Sequence, residues 1–433
     1  MIYWAPLFHF YQPPTQTPAV LMKVSNESYR PIMDVFDEFP GARATFNING
    51  CLVEMMGLYG YTDILARMSK LAERGQVEFT GSGKYHPILP LIPPEEVERQ
   101  IRLNIETNKQ YLGDVYRPRG FFPPEMCYSR NIVSPIARSG HDWVIISGVA
   151  CPAAWPMDVI HTIDYPDAQP AVFFRDDILS NKISFKDVDG NGFIQHLKAL
   201  HQGPGDIYVV TAMDAETFGH HIQHWDKLFL SQVYETLVPA TDPPHVMREQ
   251  KPLADQHRKL FEYGKSPEGK DIQIVTISQL LDIFPRGTKL EPRPSSWSTS
   301  MDDIKMENYY PLWKDKNNPV HVMQWEHLDL TMEVAHRAVK LADNPASVQF
   351  ATHARNTLDP ALHSCQFWWA SKKPMWNINM VYKGLELQRE TLLNAYKAIS
   401  LCGCDEATKK EYYYRVVAAR HLYTQITDYL YTD

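Results

Sequence analysis

Eight short apolar runs, separated by longer amphipathic stretches, occupy roughly the first 285 of the 433 residues. They fall at residues 2–10, 42–48, 76–80, 120–123, 142–147, 171–174, 207–213 and 272–277. Several lack the strict polar–apolar alternation of a half-exposed strand, which is the mark of strands covered by helices on both faces. The stretches between them read as helices. Residues 95–112 are the clearest: Pro93 and Pro94 precede an acidic first turn, and Val97, Ile101 and Ile105 recur at helical spacing. Strand, helix, strand repeated in this way predicts a parallel α/β architecture. Seven or eight repeats favour a closed or nearly closed barrel over an open sheet.

A Pro- and Ser-containing stretch from Phe284 to Ser300 marks a change. Beyond it helical periodicity dominates, over residues 320–342, 346–357, 379–399 and 405–429. The chain therefore reads as a catalytic barrel over residues 1–285 and a helical domain over 286–433. Two long loops are expected within the barrel region, at 148–169 and 239–256, and loops of that length commonly shape a cleft.

The balance of charge narrows the partners. Acidic and basic residues are mixed along the chain, the net charge is -8, and no Lys/Arg stripe is present, so nucleic acid is not an expected partner. No apolar run approaches the ~20 residues that span a bilayer, so no membrane partner is expected. No charged segment precedes an apolar stretch at the N-terminus, so no secretory leader is expected. The six cysteines show no C-x-x-C spacing, which gives no structural zinc signature and points to a reducing, cytoplasmic setting. Oligomeric state has no signal in the sequence.

In a parallel barrel catalysis sits where the strands end at their C-terminal face. The first run ends at His9, with Gln12 beyond; the second near Asn47 and Asn49; the third contains Glu78 and leads to His86. The fourth leads to Glu125, and the run 207–213 leads to Asp214, with Glu216, His220 and His221 following. Glu125 sits in a stiff apolar setting, Gly-Phe-Phe-Pro-Pro-Glu. A carboxylate there is either a buried, paired structural group or a reacting one. Asp214 follows an apolar strand, where burial and a nearby like charge raise a carboxyl pKa toward the range of a general acid. Its alternative is a helix cap or a salt-bridged Asp. Glycoside hydrolysis needs such a pair, and a separation of about 5–5.5 Å gives retention of configuration.

Four short motifs in order resemble glycoside hydrolase family 57. They are His9-Phe10-Tyr11-Gln12-Pro13; Gly75-Gln76-Val77-Glu78 with Tyr85-His86-Pro87; Gly120-Phe121-Phe122-Pro123-Pro124-Glu125; and Asp214-Ala215-Glu216-Thr217-Phe218-Gly219-His220. The resemblance implies an incomplete (β/α)7 TIM-like barrel, followed by a C-terminal helical bundle that closes the cleft. It implies retaining action on α-glucans or malto-oligosaccharides, of the α-amylase or 4-α-glucanotransferase and branching-enzyme type, with no metal or other cofactor. Carried over by position, Glu125 becomes the nucleophile and Asp214 the acid/base. His9, Gln12, Glu78, His86, Glu216 and His220 become candidates for holding sugar hydroxyls.

Tyr11 replaces the second His of the opening motif, and Phe122 stands where many members have Trp. Both departures bear on substrate preference more than on mechanism. The last family motif falls near either Ser296-Trp297-Ser298 or the segment 363–369, so Trp297 and Trp368 are candidate stacking platforms. Helix packing is the alternative for each.

Two other classes compete. A metal-dependent deacetylase or mannosidase uses a related barrel, but its first strand typically delivers Asp rather than His9, and it needs a His/Asp cluster for the ion. A non-catalytic glucan-binding protein on the same fold would usually have lost one of the two carboxylates.

Overall fold

The computed structural model describes residues 1–166, 168–238 and 271–432. The expected loop at 239–256 lies outside the described residues. Ten strands form one sheet in the order β10-β6-β7-β5-β4-β3-β2-β1-β8, with β9 added beside β1. They are β1 (Ile2–Phe10), β2 (Ala44–Ile48), β3 (Val77–Gly81), β4 (Gly120–Phe121), β5 (Trp143–Ser147), β6 (Ile160–Ile163), β7 (Ala171–Arg175), β8 (Ile207–Asp214), β9 (Ile272–Ile274) and β10 (Arg286–Leu290). Seven of them, β8-β1-β2-β3-β4-β5-β7, run parallel and curl into the incomplete barrel the sequence predicts.

The seam lies between β7 and β8. Its lower part is filled by β6, antiparallel to β7, and by the chain just before β6, where Met157 O accepts from the Tyr208 N–H at 2.7 Å. The sequence reads this segment as loop. Ile160-His161-Thr162-Ile163 is four residues long with two polar ones, too short for period-2 patterning to register. The polar strand Arg286–Leu290, which pairs with β6, escapes for the same reason.

Side chains alternate strictly between two cores. Trp4, Phe8 and Phe10 of β1 join Phe46, Phe79, Val209 and Met213 in the larger core, which also takes apolar side chains of the surrounding helices. Ala5 and Leu7 join Trp143, Ile145, Phe173, Tyr208, Val210 and Ala212 in the barrel interior. Because the strand period is two, the interior series continues to His9 on β1, Asn47 on β2, Thr80 on β3, Ser147 on β5, Arg175 on β7 and Asp214 on β8. Phe122, just past β4, belongs to the interior cluster. The end of the barrel is thus ringed by these side chains.

Below that ring the interior is plugged. The chain leaving β9 turns inward, and Val275, Ile277, Leu280 and Phe284 pack among the interior residues. The helix Ile277–Ile283 opens with a capping box, Thr276 with Gln279, and the Ser278 N–H donates to Glu78 Oε1 at 2.9 Å. Thr45 Oγ1 donates to the same oxygen at 2.8 Å.

The described chain divides into two compact units, one of residues 1–12, 16–84 and 93–297, the other of 13–15, 85–92 and 298–433. The second unit is built on four long helices, α1 (Pro319–Leu341), α2 (Pro345–Ala361), α3 (Ile378–Leu401) and α4 (Glu406–Thr432). The sequence starts three of them with the same device: Asn318, Asn344 and Asn377 each accept from a first-turn N–H, and Pro follows the first two. A buried polar chain runs from His327 Nδ1 to Gln388 Oε1 at 2.6 Å, and from Gln388 Nε2 to Gln366 Oε1 at 2.6 Å. Gly384 permits it, since a Cβ there would stand 2.4 Å from Gln366 Oε1. No helix among the described residues is long and apolar enough to cross a membrane.

Glu78→Ala strips the acceptor from both Ser278 and Thr45 at a half-buried site. It is expected to lower the unfolding free energy by about 2–4 kcal/mol, read from urea denaturation. Glu78→Gln keeps an acceptor oxygen and should cost clearly less; equal losses for the two variants would contradict a capping role.

Candidate active site

The ring at the strand ends is a hydrogen-bonded and stacked assembly. β1 pairs with β8 so that His9 stands opposite Asp214, and with β2 so that it stands opposite Asn47. His9 Nδ1 and Asn47 Oδ1 are 2.6 Å apart, and Asn47 Nδ2 donates to Thr80 Oγ1 at 2.8 Å. With Asn47 Oδ1 as acceptor, His9 Nδ1 carries the proton of that bond. The His9 ring stacks on Phe122 at 4.7 Å with the planes 13° apart, and Trp297 meets both rings edge-on at 5.8 and 5.9 Å.

Glu125 is tied to this assembly through its backbone. The Trp297 N–H donates to Glu125 O at 3.2 Å, and Tyr128 and Ser295 exchange backbone hydrogen bonds beside it. Glu125 is 9% exposed and has φ 58, in the left-handed region, and Met126 after it has φ 49. A non-glycine residue held there costs about 1–3 kcal/mol. The approach is fixed by Pro123 and Pro124, so the strain aims the Glu125 backbone rather than relaxing.

Asp214 is enclosed. Burial raises its pKa, while His9 and Arg175 pull it back. Burial also lowers the His9 pKa, which Asp214 and Asn47 oppose. Glu216 follows in the next turn. Burial, reinforced by the Asp214 charge, pushes it up to about 8, against hydrogen bonds from Tyr29 and Gln12. The Tyr29 hydroxyl donates to Glu216 Oε1, and Gln12 Nε2 donates to the same oxygen at 3.0 Å. The two neighbouring carboxyls therefore hold a shared proton to higher pH than an isolated carboxyl would.

The other candidates are placed as follows. Glu78 lies on the interior face two residues before Thr80 and is engaged by Thr45 and Ser278, apart from the ring. His220 Nδ1 is 2.6 Å from Glu27 Oε2. Gly219 before it has φ 123, and a Cβ there would meet Glu27 O at 1.8 Å, so only glycine lets this turn pass. His86, also in the left-handed region with φ 58, belongs to the second unit, where its Nδ1 is 2.9 Å from Ser364 Oγ. Trp368 is in that unit too, edge-on to Trp369 at 4.8 Å. Among the described residues no three His, Cys, Asp or Glu side chains are grouped so as to hold a metal ion.

Two neighbours of the carboxyls were missed from sequence. Tyr29 lies in an ordinary helical stretch and gives no signal. Arg175 does give one: it ends the apolar run Ala-Val-Phe-Phe on the interior parity.

Residues 9–243 match the model of glycosyl hydrolase family 57. An α-amylase of Pyrococcus furiosus is 29% identical over 221 residues, which is 49% of this chain and 32% of that enzyme. The chain thus spans about a third of the length of the curated relatives it matches. Among solved structures, a 4-α-glucanotransferase from Thermococcus litoralis superposes with TM-score 0.66 at 19% identity, covering 92% of this chain and 59% of that one. A branching enzyme from Pyrococcus horikoshii gives TM-score 0.66 at 16% identity, covering 96% and 94%. At such identities the likeness of structure establishes the fold.

The raised Glu216 pKa has a stability consequence. A carboxyl titrating higher folded than unfolded stabilises the fold fully below its unfolded pKa, and that contribution is lost as pH rises through the folded value. Glu216→Gln, which retains an oxygen for Tyr29 and Gln12, should leave stability nearly unchanged near pH 4.5. By pH 8 it should be more stable than the parent by on the order of 2 kcal/mol. Denaturant midpoints across that range, with parallel curves for the two proteins, would contradict the assignment.

Proposed function

Because this chain belongs to glycosyl hydrolase family 57, we propose that it is a retaining enzyme of α-glucans, with Glu125 as nucleophile and Asp214 as general acid/base. The observation that carries the reading is the meeting of both acidic residues' surroundings on one group. The Glu125 backbone is bonded to Trp297, Asp214 stands beside His9, and His9, Phe122 and Trp297 pack together.

In the first half-reaction Glu125 attacks the anomeric carbon as Asp214 gives its proton to the leaving glycosidic oxygen. Burial favours the protonated form of Asp214 that this step requires. In the second, the Asp214 carboxylate takes a proton from the incoming hydroxyl, which attacks the glycosyl–enzyme ester and restores the original configuration. His9, with Nδ1 committed to Asn47, is held against the buried Phe122 ring. Trp297, half-buried beside them, offers a flat apolar face to the C–H groups of a pyranose. Gln12 and Glu216 complete the polar wall.

Water as acceptor gives hydrolysis of α-1,4 linkages in the manner of an amylase; a sugar hydroxyl gives transfer, as in glucanotransferases and branching enzymes. The first half-reaction is common to both. None of the six cysteines forms a disulfide, which supports a cytoplasmic setting.

The test is incubation with maltoheptaose. Shorter products alone mean hydrolysis, longer ones transfer, and no change in any α-glucan would end the proposal. Glu125→Gln should lower kcat by about 10³-fold or more with the fold intact by circular dichroism. Asp214→Asn should be nearly inactive on maltoheptaose, yet keep turnover on an aryl maltoside with an acidic leaving group. Azide should accelerate that reaction by intercepting the glycosyl–enzyme, since neither the activated leaving group nor the azide needs a proton transfer.

A further inference from the structure

Among the described residues β8 has a strand partner along one edge only, β1. On its seam edge the carbonyls of Val210 and Ala212 need donors in a dry interior. The Asp176 N–H serves Val210 O at 2.8 Å. Ala212 O is served by a side chain, Arg175 Nε, at 2.7 Å. Arg175 thus stands in for a missing ladder N–H two residues before Asp214.

The guanidinium is 4% exposed and is gripped on its other nitrogens. Nη1 donates to Asp177 Oδ1 at 2.8 Å and Nη2 to Asn181 Oδ1 at 3.0 Å. Asp177 is in turn held through its second oxygen by the Ser147 hydroxyl at 2.9 Å and the Val149 N–H at 3.1 Å. The guanidinium carbon lies 6.0 Å from the centre of the Trp297 ring. A buried cation is therefore fixed in one orientation on the same interior face as Asp214.

We propose that Arg175 is a positioning residue of the reaction: it pins the carboxyl-bearing end of β8 and holds a buried positive charge toward Asp214 through both half-reactions. The inference rests on Asp214 being the acid/base. After Asp214 has given up its proton, a half-buried carboxylate is only partly solvated and gains from a fixed partner charge. The fixed guanidinium makes that state tolerable without the reorganisation that solvent would need. The groups facing Asp214 are His9 from β1, Arg175 from β7, Glu216 from the turn after β8 and Tyr29 from the helical segment Ser25–Tyr29. Asp177 offsets part of the Arg175 charge, and burial disfavours the charged form of His9. Arg175 is the member of this set whose positive charge does not titrate away.

The sign follows directly. Removing the cation raises the pH at which Asp214 loses its proton, so the alkaline limb of kcat/KM on maltoheptaose moves up. Arg175→Gln should shift it by about one pH unit and lower kcat about tenfold or more through the loosened strand end. Arg175→Lys keeps the charge and loses the fork. Its limb should stay within about 0.3 pH unit of the parent while kcat falls. An unmoved limb in Arg175→Gln, or a limb displaced equally in both variants, overturns the inference. Should Arg175→Gln fail to fold, a limb displaced by about a full unit in Arg175→Lys overturns it, and an unmoved limb with lowered kcat supports it. Asp214→Asn run alongside separates the two ideas. Full activity in that variant removes the acid/base reading itself, whereas an inactive Asp214→Asn beside an unmoved Arg175→Gln limb removes only the role of Arg175.

Discussion

The two-residue period of the β-strand decides what this site can contain. Each barrel strand delivers alternate side chains to the interior, and that parity carries His9, Asn47, Thr80, Arg175 and Asp214 to one ring while Trp4, Phe8, Phe46 and Met213 face the helices. A slip of one residue in β1 would bring Phe8 and Phe10 inside and throw His9 among hydrocarbon. The register of β1 is defended from both sides, because its Trp4, Phe8 and Phe10 fill the outer core while its smaller Ala5 and Leu7 fit the inner one. The chemistry is therefore anchored by packing energy far from the reacting atoms.

Enclosure then sets the electrostatics. The same burial that raises Asp214 and Glu216 lowers His9, so each of these three groups is pressed toward its neutral form. Opposing this are specific, fixed partners: Tyr29 and Gln12 on Glu216, Asn47 on His9, Arg175 toward Asp214. Two carboxyls two residues apart repel when both are charged, so one takes the proton. The arrangement keeps an acid available near neutral pH without stranding an unpaired charge in a dry space.

Most strands and their parallel order were readable because long apolar runs and capped helices are strong signals, while the count of seven came from the family resemblance. Glu125 and Asp214 stood out as candidates because each follows such a run directly. Glu78 shows where motif reading overreaches: its side chain is engaged by Thr45 and Ser278, a partnership made across 200 residues that no local pattern contains. Tyr29 was out of reach for the same reason, its target Glu216 being 187 residues away. Arg175 was within reach, since a charge closing an apolar strand on the interior parity is a physical anomaly. β6 and β10 are short, polar and defined by one another, so only the folded seam makes them strands.

The seam itself joins these threads. A barrel closed on all sides by ladder hydrogen bonds would satisfy every edge carbonyl with backbone N–H groups and leave no reason for a charge there. Seven strands leave a gap, and a gap in a dry interior demands donors. Here the demand is met below by the segment around β6 and above by one backbone N–H and one guanidinium. An unsatisfied carbonyl is thus answered with a cation, at the strand end that carries the proposed acid/base Asp214. The incompleteness of the barrel is what admits Arg175, and through it the strand geometry and the proton chemistry become a single constraint.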